Sequence, residues 1–351
     1  MRQVLIDALK HQRASGQHSG LLLQRYLFKR ATGNGGDPDE KKALLQAAIR
    51  AAMDPDVRAL YQTAFERWSQ SLDKLPHVVK DGNLRTNGRL IVGLGSENVL
   101  EAGIRLNHLY GTPIIPGSAL KGLAAHYCDW VWGERDDEDN ASPESKGWRR
   151  EKGEYHRLLF GTTDDGGCIV FHDAWLIPGS SEKPLALDVM TPHHSGWNDL
   201  KNLAPPTDFD SPTPVPFLSA TGAFHVAVSW SGPQHEQAPK WTKLALDLLR
   251  EALEEWGAGG KTTSGYGRLA VPPPPPPPKP RAHGTIAKVT IIAPRPKGGY
   301  EVQDVEPGRA PGTLTLGSPR PGVEPKVGDK YEVVVHVEDM KRPQYAWPRL
   351  Q

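Results

Sequence analysis

Sulfur is scarce in this chain: its 351 residues include two cysteines and four methionines. Cys128 and Cys168 stand far apart and fit no zinc-binding spacing, so reduced thiols in a cytosolic protein are expected. Long apolar runs are missing as well. No stretch approaches the ~20 apolar residues of a membrane span, and the opening "MRQVLIDALKHQRASG" lacks the continuous apolar core of a secretion signal. A cytoplasmic protein without a membrane partner is the expectation. Net charge is nearly absent, since 42 Lys and Arg against 41 Asp and Glu leave +1. A general pull on polyanions is thereby excluded, and any nucleic-acid contact must be local. Hydrophobic residues at 38% and charged residues at 24% describe a soluble globular chain long enough for two domains.

Glycine and proline are plentiful, and they divide the chain into readable segments. A helical region covers about 39–75: "EKKALLQAAIRAAM" puts Leu44, Leu45, Ala48, Ile49 and Ala52 on one face. After the cap "DPD", Val57, Leu60, Ala64, Phe65, Trp68 and Leu72 form a second stripe. "GRLIVGLG" from Gly88 reads as a short strand. "TPIIPGSALKGLAAHYCDWVW" reads as an extended entry and a helix beginning near Ser118, with Leu120, Leu123, Ala124, Tyr127 and Val131 as its buried stripe. The charged stretch 134–165, with the acidic run "ERDDEDN", is an insertion expected to be mobile. "GGCIVFHDAWLIP", "KPLALDVMTPHHSGW" and "FLSATGAFHVAVSW" read as strands, and 239–256 as a helix. Strand, helix, two or three strands, helix, strand is an α+β fold on the ferredoxin-like (RRM-like) βαββαβ plan. Residues 272–280 form a stiff proline linker. Beyond it, 281–351 read as four or five short strands, which suits a small all-β barrel of the OB type, with an SH3-like barrel as competitor.

"EALEEWGAGGKTTSGYGRLAV" (251–271) ends its glycine run in Gly260, Lys261 and Thr262, the G-K-[ST] of a phosphate-binding loop. Two tests reject that reading. Glu255 stands where the first glycine of the motif belongs. The order is also reversed, because Trp241, Leu244, Ala245, Leu248, Leu249, Ala252 and Trp256 make a helix before the loop and "YGRLAV" makes a strand after it. Gly257 suits a helix C-cap, but that leaves four further glycines unexplained. Lys261, Thr262, Thr263, Ser264, Tyr266 and Arg268 supply hydroxyls and positive charge there, and Tyr266 is placed either to stack on a base or to pack.

"PIIPGSALKG" (113–122) offers a second donor-rich turn. Pro116 sets the backbone, Gly117 lets it approach a ligand, and Ser118 is expected to cap the helix. The exposed N–H groups of a helix N-terminus make an anion site, and Lys121 lies within reach of it. The alternative is an ordinary capped helix with an exposed lysine. Many donors without an obvious acid–base pair suit a grip on a phosphodiester backbone.

"PIIPGSALKGLAAHY" followed by "GGKTTSGYGRL" resembles the RAMP superfamily of CRISPR effector proteins. "SGLLLQRYL", "GLGSENVLEAGIRL", "LDVMTPHHSGW" and "PPTDFDSPTPVPFLSATGAFHVAV", in that order, resemble the family of sixth Cmr subunits of type III-B complexes. The resemblance covers about 15–271 and defines a RAMP domain over 1–271; the C-terminal barrel lies outside it. It implies a non-catalytic subunit at the guide 3′ end of a ribonucleoprotein, binding CRISPR RNA and target RNA beside the backbone and neighbouring RAMP subunits. Its RNA-binding positions fall on Ser118, Lys121, Lys261, Thr262, Ser264 and Arg268, to which the loop reading adds Tyr266. The segment 187–216, with His193, His194 and Trp197, would form a protrusion that separates bases of the guide–target duplex. No cofactor and no metal are expected.

Two other readings stand beside this one. RAMP proteins that process guide RNA can use histidine as acid or base, and this chain has 13 histidines, with His108 and His126 flanking the first turn. His172–Asp173 and His193–His194 suggest metal pairs, but neither has a third ligand at a defined spacing. In the barrel, Tyr300, Tyr331, Tyr345 and Trp347 lie among scattered basic residues, either as a stacking face for a single strand or as the filling of a small core.

Overall fold

The computed structural model describes residues 17–25, 38–96, 100, 102–135, 142–150, 152–194, 197, 205, 207–212, 214–273, 281–296, 298–306, 308–316, 325–337 and 343–348. The acidic run beyond 135 and the linker beyond 273 lie outside these residues. So do Lys297, Arg320, Lys341 and Arg342. The chain forms two compact units, Met1–Pro272 and Pro273–Gln351.

Unit 1 begins with α1 (Ser19–Arg25), α2 (Pro38–Ala52) and α3 (Pro55–Leu72). Asp54 separates the last two, its carboxylate accepting from the N–H groups of Asp56 and Val57 while Pro55 opens the first turn. Leu44, Leu45 and Ala48 of α2 bury against Leu22, Leu23, Leu100 and Leu218. The α3 stripe is different from expectation, with Leu60 61% exposed. Its working face is aromatic: Trp68 stacks on Trp175 at 4.7 Å and 3°, Tyr61 lies 6.0 Å from the same ring, and Phe65 meets His225 edge-on.

A six-stranded sheet contains β1 (Val79–Thr86), β2 (Ile114–Ile115), β3 (Ile169–Phe171), β4 (Ala174–Leu176), β7 (Ala223–Trp230) and β8 (Leu269–Ala270). Its order is β2-β4-β7-β1-β8, with β3 also on β7, and every pair is antiparallel. The first strand lies at 79–86, not at 88–95 as the apolar run suggested. "VKDGNLRT" has almost no alternation, and only Asp81 and Leu84 of it are buried. Its pairing is dictated by β7 and interrupted by an irregularity between Asp81 and Leu84. Asp81 is neutralised by the Arg250 guanidinium. The "GRLIVGLG" residues are buried for another purpose, described below.

The reading of "FLSATGAFHVAVSW" as one strand is also corrected. Gly222 at φ 143° divides it into β6 (Val215–Ala220) and β7. β6 pairs with β5 (Leu185–Met190) in a separate two-stranded sheet, and β7 runs through the main one. α4 (Gly117–Tyr127) and α7 (Ala238–Glu255) enclose the core, burying Leu120, Ala124, Ala245, Leu248, Leu249 and Ala252 with Phe224, Val226 and Val228. Each leucine, valine or phenylalanine among them contributes about 1.5–3 kcal/mol on leaving water. Val131 is not among them. The helix continues as a π-helical turn, Cys128–Trp132, whose wider winding turns Val131 outward. The insertion is only partly as expected: α5 (Pro143–Gly147) lies near its surface, but α6 (Glu154–Phe160) buries His156, Leu159 and Phe160 and belongs to the fold. Among the described residues no helix is long and apolar enough to cross a membrane.

Unit 2 is a closed five-stranded barrel of β9 (Ile286–Pro294), β10 (Tyr300–Asp304), β11 (Gly312–Leu316), β12 (Lys330–Val337) and β13 (Gln344–Ala346). The cyclic order is β9-β10-β11-β13-β12, and only β11–β13 is parallel. Val289, Ile291, Val302, Leu314, Val333, Val335, Tyr345 and Trp347 fill it, with Tyr300 and Tyr331 packed against them. The core-filling alternative therefore holds for Tyr345 and Trp347. Asp304 is buried and accepts from the Tyr345 hydroxyl at 3.0 Å while pairing with Arg281 at 2.9 Å. Glu306 binds both Arg281 and Arg309.

Candidate nucleic-acid interface

The loop after α7 is a backbone clamp. Gly257 closes the helix by donating to the Ala252 carbonyl, and Ala258 N–H reaches Gly267 O at 2.8 Å. The loop then grips the segment after β1: Gly260 N–H donates to Ile91 O, Gly267 N–H to Arg89 O, and Asn87 N–H to Arg268 O, all within 2.8 Å. A Cβ on Gly259 would stand 2.1 Å from the Ile91 carbonyl, so only glycine allows this approach. The apolar run 88–95 thus serves as the bed of the loop, with Leu90 bridged to Ala220. Its burial reads as a strand in sequence, but its backbone bonds are divided: the Arg89 and Ile91 carbonyls accept from the loop, Leu90 pairs with Ala220, and the Val92 carbonyl accepts from Arg105.

Upon this bed Lys261 adopts a left-handed conformation, φ 59°, and a 3₁₀ turn, Thr262–Ser264, follows. The Lys261 carbonyl accepts from both Ser264 and Tyr266 N–H groups. Thr263, Ser264 and Arg268 are exposed, and Lys261 and Thr262 half-buried. Among the described residues, none of these five side chains makes a hydrogen bond or ion pair within the protein. Tyr266 has a different role. Its hydroxyl donates to Asp188 at 2.6 Å, its ring lies 6.3 Å from Phe217, and burial followed by Asp188 raises its pKa. It is a strut to the β5–β6 pair, with its hydroxyl already committed. Asp188 also lies 3.7 Å from Arg89, whose guanidinium reaches the Ser219 hydroxyl. The sequence reading missed Arg89 and Asp188, because only tertiary contact brings them to the loop.

The first turn of α4 departs from expectation in two ways. Pro116 occupies the cap position and makes no side-chain cap bond; Ser118 lies two residues past it, exposed. The Gly117 N–H instead donates to the Asp173 carboxylate at 2.7 Å. Asp173 thereby answers part of the helix-end charge that an anion would use. Gly117 is also small for the fold's own sake: a Cβ there would stand 2.0 Å from the Phe171 carbonyl. Lys121 is half-buried on the same turn.

The two turns are held by different parts of the sheet. The first is fixed to 171–173, and the second to 87–91 and β5. α4 and α7 meet through Tyr127, whose hydroxyl donates to Glu255 at 2.9 Å and whose ring lies 5.1 Å from Trp256. Among the described residues no hydrogen bond or ion pair joins Ser118 or Lys121 to the glycine loop.

Beyond the β5–β6 pair, His194 Nδ1 lies 2.9 Å from Asp210, and Thr207 donates to the same carboxylate through its N–H and its hydroxyl. The His194 bond and then those from Thr207 hold the Asp210 carboxyl below its usual range. His193 is exposed beside His194, Trp197 is 52% exposed, and Phe209 is 98% exposed. Phe209 lies within the motif "PPTDFDSPTPVP" and the segment 187–216 but was not singled out by sequence, being a lone aromatic in a proline- and aspartate-rich run. His172 Nε2 lies 2.8 Å from the Ser229 hydroxyl, and among the described residues no three His, Cys, Asp or Glu side chains are grouped as metal ligands.

The sequence profile of the RAMP superfamily matches residues 83–270. The chain is similar to the CRISPR system Cmr subunit Cmr6 of Pyrococcus furiosus, with 33% identity over 255 residues, 60% of this chain and 72% of that protein. Among solved structures it is similar to a chain of the type III-B Cmr-beta complex bound to cognate target RNA. That match has TM-score 0.48 and 20% identity and covers 66% of this chain and 71% of the other. It is also similar to the crystal structure of Cmr6 from Pyrococcus furiosus, with TM-score 0.36 and 32% identity, covering 56% of this chain and 98% of the other.

Proposed function

The chain belongs to the RAMP superfamily and, within it, to the Cmr6 family of type III-B CRISPR complexes, and from that premise we propose that it is an RNA-binding, non-catalytic subunit of such a complex. It caps the backbone at the guide 3′ end and helps hold CRISPR RNA and target RNA, in the cytoplasm, beside the other Cmr subunits. We read the sheet as ferredoxin-like, a reading supported by the order β4-β7-β1-β8, and the barrel as OB-like, supported by its single parallel pair. The domain reading is 1–271, linker 272–280 and barrel 281–351, with 187–216 as the duplex-separating protrusion bearing His193, His194 and Trp197.

One observation carries the RNA assignment: the glycine loop presents Lys261, Thr262, Thr263, Ser264 and Arg268 from a rigid clamp with their polar groups uncommitted. Such donors suit phosphate and sugar, so binding is independent of sequence. Ser118 and Lys121 extend the contact from a separate turn. RNA does not lie on the sheet face around Trp175 and His225, because the α3 rings of Tyr61, Phe65 and Trp68 already cover it.

Fluorescence anisotropy of the full chain with single-stranded RNA tests this. Lys261→Ala, Arg268→Ala and Lys121→Ala each weaken binding several-fold and lower the salt slope by about 0.7 per lost phosphate contact. Unchanged affinity and slope in all three overturns the assignment. A second reading has one observation in its favour, the His194–Asp210 pair, which orients an exposed imidazole as a metal-independent nuclease requires. Cleavage of labelled RNA in EDTA that disappears in His194→Ala would establish it.

A further inference from the structure

The helical side of unit 1 carries a surface that the RNA assignment leaves unused. The π-helical turn Cys128–Trp132 is held by Asp129, a buried carboxylate that accepts from Arg135 at 2.9 Å and from the Arg150 N–H at 2.8 Å. This turn carries Trp130 and Val131 outward, 41% and 39% exposed. The His126 ring lies 5.8 Å from Trp130 and 5.1 Å from Trp256. Two carboxylates are fixed along the same edge, Glu255 by the Tyr127 hydroxyl and Glu251 by the Trp132 indole N–H at 3.0 Å. Glu254 is exposed between them. On α7, Lys243 pairs with Asp247 and Arg250 with Asp81 and Asp247, so the last turn from Glu251 to Glu255 presents carboxylates alone.

We propose that this patch docks a protein partner through arginine side chains. A guanidinium stacks flat on an indole while its N–H groups pair with a carboxylate, and the His126 ring, which meets both Trp130 and Trp256, links the indole to the end of α7 that carries the carboxylates. A lysine-only partner would use the charge but not the stacking geometry. Polynucleotide is the wrong occupant, since its phosphates would face Glu251, Glu254 and Glu255. Exposed tryptophan met by arginine is also the pairing in which binding energy concentrates at protein interfaces. The proposal rests on the reading of the chain as a subunit of a multiprotein Cmr complex, which supplies the partners.

The probe is the set of other Cmr subunits of the same complex, purified and assembled with guide RNA and the full chain. Trp130→Ala and, separately, Glu254→Arg are titrated into the assembly and incorporation is read by native mass spectrometry. Each variant shifts half-maximal incorporation by about tenfold or more, leaves single-strand affinity of the isolated chain unchanged, and keeps its circular dichroism. On assembly of the unaltered chain, hydrogen exchange slows at 126–132 and 251–256. Incorporation at the unaltered concentration, or no protection there, overturns the proposal. So does a loss of RNA affinity in Trp130→Ala, which would make the patch a nucleic-acid surface. If Trp130→Ala misfolds, Glu254→Arg at its exposed position decides. Failure of the unaltered chain to assemble at all sinks the functional reading with it, whereas an RNA effect confined to Lys261→Ala bears only on the glycine loop.

Discussion

Lys261 is one of three non-glycine residues at positive φ among the described residues, and it lies at the centre of the donor-rich loop. Left-handed backbone costs an ordinary residue roughly 1–2 kcal/mol. The clamp around Gly259 and Gly267 enforces it, and the gain is a lysine and three hydroxyls presented on one short turn. Lys261→Gly separates the two effects. Glycine relieves the strain but loosens the unfolded chain, so melting temperature holds or rises by a few degrees while RNA affinity falls as in Lys261→Ala. A clear drop in melting temperature would show that the backbone there is not strained. The motif itself was legible in sequence as small and hydroxyl residues. The commitment of Tyr266 to Asp188 was not, because the two are 78 positions apart.

At the scale of elements, α4 contains an unexplained weakness. Gly122 sits mid-helix, exposed, and a Cβ there would meet nothing within 4 Å. Internal packing does not call for glycine, which costs about 0.5–1 kcal/mol against alanine. Gly122→Ala is therefore expected to raise the melting temperature. It is also expected to weaken RNA binding, because Ser118, one turn earlier, belongs to the proposed contact. Both quantities come from the same protein samples by thermal denaturation and anisotropy; stabilisation with RNA affinity intact would remove the polynucleotide from this face. The existence of α4 was plain from its apolar spacing. Its continuation into a π-helical turn was not, since the winding depends on Asp129 finding Arg135 and the Arg150 N–H.

At the scale of the whole molecule, three histidines tie stability to pH. Burial lowers the pKa of His156, His172 and His225. The folded state keeps them neutral, while the unfolded state takes up protons near pH 6.5. Their contribution is fully present above about pH 6.5 and is lost as pH falls towards the folded pKa values, at up to about 1.4 kcal/mol per pH unit for each. Melting temperatures measured from pH 7.5 down to 5.5 should decline, and His156→Gln should flatten the curve. A level profile in the unaltered protein would contradict the burial assigned to these rings. The barrel closes its own core around Tyr345 and Trp347 and pairs Arg281 and Arg309 with acids, which leaves fewer free cations than its composition suggested.

Local periodicity and glycine–proline punctuation determined the helices α2, α3, α4 and α7, the division near the prolines, and the two donor-rich turns, because each depends on neighbours a few residues away. Family motifs did as much for membership. Tertiary structure alone decided that "VKDGNLRT" is a strand and "GRLIVGLG" a bed, since backbone pairing there is imposed by β7 and by Gly260, not by side-chain alternation. It likewise decided that Asp173 occupies the helix end at Gly117. A hydrogen bond between residues 56 positions apart leaves no trace in local spacing.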